Sequence, residues 1–156
     1  MKRFVFSLAK VLEYRKQLES DRQLAFSKAA EIFRRREDQL RTLAAELTSY
    51  QNAMAKIGTG RISARELALY RSYLTYLETQ VGQAVVWLQD SGRDLETRRR
   101  ELAVASQEKQ VLEKVKDSKR AEHDYQLARQ ETADLDEIGS NNYIAAMPVA
   151  GAGDSV

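Results

Sequence analysis

The chain has 156 residues, 31% charged and 43% hydrophobic, with seven glycines, one proline, one histidine, no cysteine and a formal net charge of +2. A sheet protein needs turn signals every ~8–12 residues, and so little glycine and proline excludes an all-β fold and disfavours α/β. No cysteine means no disulfide framework or thiolate metal site, and a lone His123 excludes a histidine metal cage.

The N-terminal segment Met1–Lys16 is basic but lacks a signal-peptide core and a small-residue cleavage site. No apolar run approaches the ~18 residues of a membrane span. These features place the chain in a reducing cytosol. Ser7 can cap a first helix by accepting a hydrogen bond from a free N–H of the first turn. Helix formers then run to about Lys56, which puts helix 1 at about 7–56. Stepping by three and four residues gives Leu8, Val11, Arg15, Leu18, Arg22, Ala25, Ala29, Ile32 and Arg36, then Leu40, Leu43, Leu47, Tyr50, Met54 and Ile57. Two steps of four meet at Arg36, a stutter that relaxes the supercoil locally.

The closely spaced Gly58 and Gly60 mark a turn over 57–62. Helix 2 opens on Ser63-Ala64-Arg65-Glu66, a capping box. From Leu67 the same steps give Tyr70, Leu74, Leu77, Val81, Ala84, Leu88, Ser91, Leu95, Arg98, Leu102, Ala105, Lys109 and Leu112, and eleven of these fourteen are apolar. That is a coiled-coil seam. Continued steps reach Lys116, Lys119, His123, Gln126 and Gln130, so the seam ends and His123 reads as exposed.

The two seams match in length, so the fold class is all-α: an antiparallel two-helix coiled-coil hairpin about 70 Å long from the helical rise. Folding about residue 60 sets residue i opposite roughly 120 − i. Arg22 then faces Arg98, a repulsion relieved only if the long side chains snorkel or reach Asp21 or Glu101. Residues 113–138 extend past helix 1 without a partner. Glu131, Asp134, Asp136 and Glu137 sit there at a helix C-terminus, where the macrodipole disfavours negative charge, so this extension frays. Residues 1–138 form one domain, with helix 2 at about 63–138, and 139–156 form a disordered tail. Charge is uneven: residues 1–56 carry 12 basic and 7 acidic groups, and residues 113–156 carry 5 and 9. That asymmetry favours a chain folded back on itself.

No acid, base, nucleophile or metal set converges, so the chain reads as a non-enzyme without cofactor, metal or small-molecule substrate. Gly58-Thr59-Gly60 lacks the length and the lysine of a phosphate loop. The triplets Arg34-Arg35-Arg36 and Arg98-Arg99-Arg100 are followed by acids and read as solvated helix faces rather than a nucleic-acid patch. Tyr73 and Tyr76 lie off the seam near the hairpin tip, where exposed aromatics make a binding hot spot unless a short local helix folds back over them. Phe4 and Phe6 pose the same question at the other end.

Three motifs in order resemble the flagellar export protein FliJ family over about residues 3–138. They are Phe4-x-Phe6-x-Leu8-x-x-Val11-Leu12-x-x-Arg15, Tyr70-x-x-Tyr73-Leu74-x-x-Leu77-Glu78, and Glu108-Lys109-x-x-Leu112-Glu113-Lys114-Val115-Lys116 with Leu135-Asp136-Glu137-Ile138. The resemblance implies a component of the flagellar type III export apparatus, cytoplasmic and peripheral to the inner membrane at the flagellar base. It implies a stalk whose terminal end sits in the hexameric export ATPase, with Phe4, Phe6, Leu8, Val11 and Leu112 on that side. It implies contact with the membrane export gate through Tyr73, Leu77 and Gln80, and recycling of chaperones for the filament-cap and hook-junction proteins. Gln80 is polar where a small apolar residue suits such a surface, and Leu77 also lies on the seam. Gly139 stands where a helix former is expected, which shortens the last turns. The competing classes are a generic coiled-coil adaptor or homodimer, the equivalent stalk of a virulence secretion system, and a nucleic-acid-binding coiled coil.

Overall fold

A computed structural model describes residues 3–58 and 60–147. It contains two helices, α1 at Ala9–Ile57 and α2 at Ala64–Ala146, and no strand among the described residues. Chain entry into α1 is tightened by the Ala9 N–H donating to the Phe6 carbonyl at 3.1 Å. The C-terminal end of α1 closes with the Gly58 N–H on the Met54 carbonyl, and Lys56 sits in the last turn, where a cation suits the helix dipole. The capping box of α2 forms as the sequence requires. The Glu66 N–H donates to Ser63 Oγ at 3.1 Å, and the Ser63 N–H donates to Glu66 Oε2 at 3.2 Å.

The chain divides into two compact units, Glu13–Lys109 and Met1–Leu12 with Gln110–Val156. In the first, α1 and α2 run antiparallel. Tyr50 meets Tyr70 near the turn, and Arg22 meets Glu101 far from it. The second pair sits about three residues from the expected register, less than one helical turn.

All fourteen seam positions of α2 are buried or half-buried, with Leu77 and Ala84 at 1% exposure and Ala105 at 3%. The seam of α1 is corrected in its first half. Ile32 is 49% exposed, Leu8 39% and Val11 43%, whereas Leu12 is buried and Phe26 and Phe33 are half-buried. The inward row therefore runs Leu12, Arg15, Glu19, Arg22, Phe26, Ala29, Phe33, Arg36 and on to Leu40. Its steps alternate four and three throughout, so α1 has no stutter at Arg36. The physical reason is volume and pairing: two phenylalanines bury more surface than Ala25 and Ile32, and Glu19 gains a cation inside. Phe33 packs against the open flank of Gly92, where an added Cβ would lie 3.4 Å from its ring.

In the second unit the N-terminal segment lies on α2. The Phe4 ring is 5.6 Å from the His123 ring, and Phe6 and Leu12 are buried. His123 is thus half-buried rather than exposed, and the stretch from 113 is not bare from its start. From Ala128 to Met147 every residue is exposed. The helix passes Gly139 and ends at Ala146, eight residues beyond the expected end at 138. One glycine costs a helix about 1 kcal/mol, too little to stop it among helix-compatible neighbours, whereas Pro148 restricts Met147 before it. The part of the expected tail beyond 147 lies outside the described residues.

Gly82 is exposed within α2 and a Cβ there would meet nothing within 4 Å. Gly82→Ala should therefore raise stability by about 1 kcal/mol, measured by chemical denaturation, and a loss of stability would contradict this helix.

Candidate partner-binding surfaces

Near the turn, four tyrosines and an acid from both helices come together. The Tyr50 ring is 5.5 Å from Tyr70 and meets Tyr73 edge-on at 4.7 Å, and Tyr73 stacks with Tyr76 at 5.9 Å. The Tyr73 hydroxyl donates to Glu46 Oε1 at 2.6 Å. That bond to a carboxylate, then partial burial, holds the phenol above the usual tyrosine range. Tyr73 is held on one edge, while its outer face (37% exposed), Tyr76 (55%) and Leu69 (65%) remain open. α2 is continuous from Ala64, and among the described residues no separate local helix covers these rings. Leu69, Tyr73, Tyr76 and Gln80 follow each other at three- and four-residue steps and share one helix face.

Leu77 does not belong to that face. It is the most deeply buried large side chain of the described residues. A seam position cannot also present its side chain outward on a continuous helix, so the structure places Leu77 in the core and leaves Tyr73 with a half-buried Gln80. Tyr50 and Glu46, which support the cluster from α1, were not singled out from the sequence. The fold-back register already set Tyr50 opposite Tyr70 and was the signal that could have found them. Trp87 lies on the same row of α2, 38% exposed, with the Arg36 guanidinium 4.7 Å above its ring, a cation–π contact.

The residues expected on the terminal side divide by burial. Phe6 is buried, Phe4 and Leu112 are half-buried, and Leu8 and Val11 are exposed. Phe6 is thereby a packing residue, and Leu8 and Val11 are accessible ones. Beyond them, exposed α2 carries Tyr125, Leu135, Ile138, Tyr143 and Ile144 together with Glu131, Asp134, Asp136 and Glu137, with no basic residue in its last turn. Negative charge and a negative dipole end add here.

Five arginines of the triplets have partners, mostly within their own helices. Arg35 pairs with Glu31, and Arg36 donates to Gln39. Arg98 reaches Asp94 and Glu101, and Arg99 and Arg100 share Glu96. These guanidiniums already have partners, as a solvated helix face provides. The Arg22–Arg98 conflict is resolved by Glu101, whose Oε2 accepts from Arg22 at 3.0 Å and from Arg98 at 3.2 Å. Two further ion pairs cross between the helices nearby, Arg15–Glu108 and Glu19–Lys109, the latter at 2.7 Å. Hydrogen bonds from Lys109 and then Ser106 hold the Glu19 carboxyl below the usual glutamate range. Among the described residues no group of three or more His, Cys, Asp or Glu side chains could hold a metal ion. No helix there is long and apolar enough to cross a membrane.

No curated protein matches the chain significantly. Among solved structures, a putative YscO homolog, CT670 from Chlamydia trachomatis, superposes with a TM-score of 0.57 at 15% identity, over 92% of this chain and 97% of that one. At that identity the likeness is one of fold. The family model described as flagellar FliJ protein matches residues 4–148. With the motifs, the paired helices and a match over nearly its whole length in agreement, the chain belongs to the flagellar FliJ protein family and is a type III export, stalk-like component.

Proposed function

We propose that this chain is the coupling stalk of a flagellar type III export apparatus: a non-catalytic, cytoplasmic protein, peripheral to the inner membrane at the flagellar base. In this reading its terminal end engages the hexameric export ATPase. The Leu69–Tyr73–Tyr76 face meets the membrane export gate, and the chain also receives export chaperones of the filament-cap and hook-junction proteins. The observation that carries the reading is the bare stretch of α2 from Ala128 to Ala146. It is fully exposed, yet holds several large apolar side chains and four acids. Most helical stability in proteins comes from packing of an apolar face rather than from propensity, so a partner covering these side chains would stabilise the stretch. A partner with basic and apolar groups fits its chemistry. A helix set asymmetrically in a ring would bias the nucleotide states of successive subunits through differential contact.

The test is ATP hydrolysis by the cognate export ATPase. The intact chain should stimulate it, and a chain ending at Leu127 should lose at least about tenfold in apparent affinity while keeping its helix pairing. Failure of the intact chain to bind the hexamer would refute the stalk reading. The fold likeness to a YscO homolog favours one alternative, the same role in a virulence secretion system. Preference for a virulence export ATPase over a flagellar one would select it.

A further inference from the structure

The paired helices of the Glu13–Lys109 unit do not cohere in the same way along their length. Toward the turn the inward residues are Leu40, Leu43, Leu47, Tyr50 and Met54 of α1 and Leu67, Tyr70, Leu74, Leu77, Val81 and Ala84 of α2, all buried or half-buried. Away from the turn the inward row of α1 becomes Arg15, Glu19 and Arg22. It is met by Glu108, Lys109 and Glu101, with Arg98 sharing Glu101. These side chains are 22–41% exposed, so water and ions reach them. The large apolar side chains that face inward in that stretch are few, Leu18 and Leu102, and the one buried residue there, Ala105, is small.

We propose that the stretch pairing residues 15–22 with 98–109 is a salt-released zipper, whose helices part reversibly while the apolar stretch toward the turn stays closed. The physical basis is screening. The range of a charge interaction shortens from about 10 Å at 0.1 M salt to about 3 Å at 1 M, and pairs that ions reach are weakened by it, partly buried ones less than fully exposed ones. Apolar contacts are not weakened by sodium chloride in this way. The device gives the stalk a compliant stretch joined to a firm one, and a partner bearing charge could open it in place of salt.

The absence of cysteine allows spin labels to be placed cleanly. One pair, Ser20→Cys with Ala103→Cys, reports the ionic stretch. A second, Thr48→Cys with Thr75→Cys, reports the apolar one, and all four positions are exposed. Distances are measured by double electron–electron resonance as sodium chloride rises from about 0.05 to 1 M. The 20–103 pair should gain a long-distance population several-fold larger at high salt, up to about eightfold if three pairs each worth about two-fold are lost entirely. The 48–75 distance should stay single. Adding Glu19→Leu with Lys109→Leu should cut the response at least about two-fold. No change at 20–103, an equal change at both label pairs, or a full response in the double-leucine variant would each overturn the proposal.

Discussion

Leu77→Ala should lower the stability of the chain by about 3 kcal/mol, within the 2–5 kcal/mol range of buried leucine truncations. Leu77 is 1% exposed at the centre of the apolar stretch, flanked along the seam by Leu74, Val81 and the equally buried Ala84. Truncation removes about three methylene-sized groups from water-free surroundings and leaves a void between two helices that are themselves tied at the turn, which limits collapse into it. At this chain length each kcal/mol lowers the melting temperature by roughly 2–4 °C, so a drop of about 6–12 °C is expected in calorimetry. A change under about 1 kcal/mol would place Leu77 outside the core. The result also decides how the Tyr70–Leu77 motif is used: a partner-binding loss in Leu77→Ala would arise through the helix pairing and should accompany the melting shift.

The second large effect is expected at the aromatic face. Tyr73→Ala with Tyr76→Ala should weaken binding to the soluble domain of the cognate export gate at least about 100-fold, as loss of aromatic hot-spot residues does. Helix content and seam pairing should persist. Tyr76 is more than half exposed, and Tyr73 is anchored by Tyr50 and Glu46 while its outer face stays open. A ring held by a second helix loses little freedom on binding, and this makes it a good anchor. Tyr73→Phe removes only the hydroxyl bond to Glu46, and Gln80→Ala removes a half-buried polar group, so both should change affinity far less. Titration calorimetry on the four proteins checks the order. Equal binding by the double alanine variant and the native chain would move the gate surface elsewhere.

The two-helix architecture, the capping box at Ser63, the fourteen-position seam of α2 and the approximate fold-back register were legible in the sequence. Each rests on local chemistry or strict periodicity: few turn residues, a cap three residues from its glutamate, apolar groups repeating every three to four positions. The inward face of α1 between Leu12 and Arg36 was not legible in the same way. There the apolar residues occupy two adjacent rows, Val11–Leu18–Ala25–Ile32 and Leu12–Phe26–Phe33 with Glu19 between them, and one helix alone does not say which row faces its partner. The choice fell to the opposing helix, whose Lys109 pairs with Glu19 and whose Gly92 leaves room for Phe33. The same dependence on a partner explains Glu101 between two arginines, Phe4 against His123 and the tyrosine cluster built from both helices. It also separates Leu77 from Tyr73, which one motif had grouped. Periodicity along a single chain determined which elements form and about where they turn. Packing between elements decided which side chains are spent on the core and which remain for a partner, because burial is a property of two surfaces and not of one.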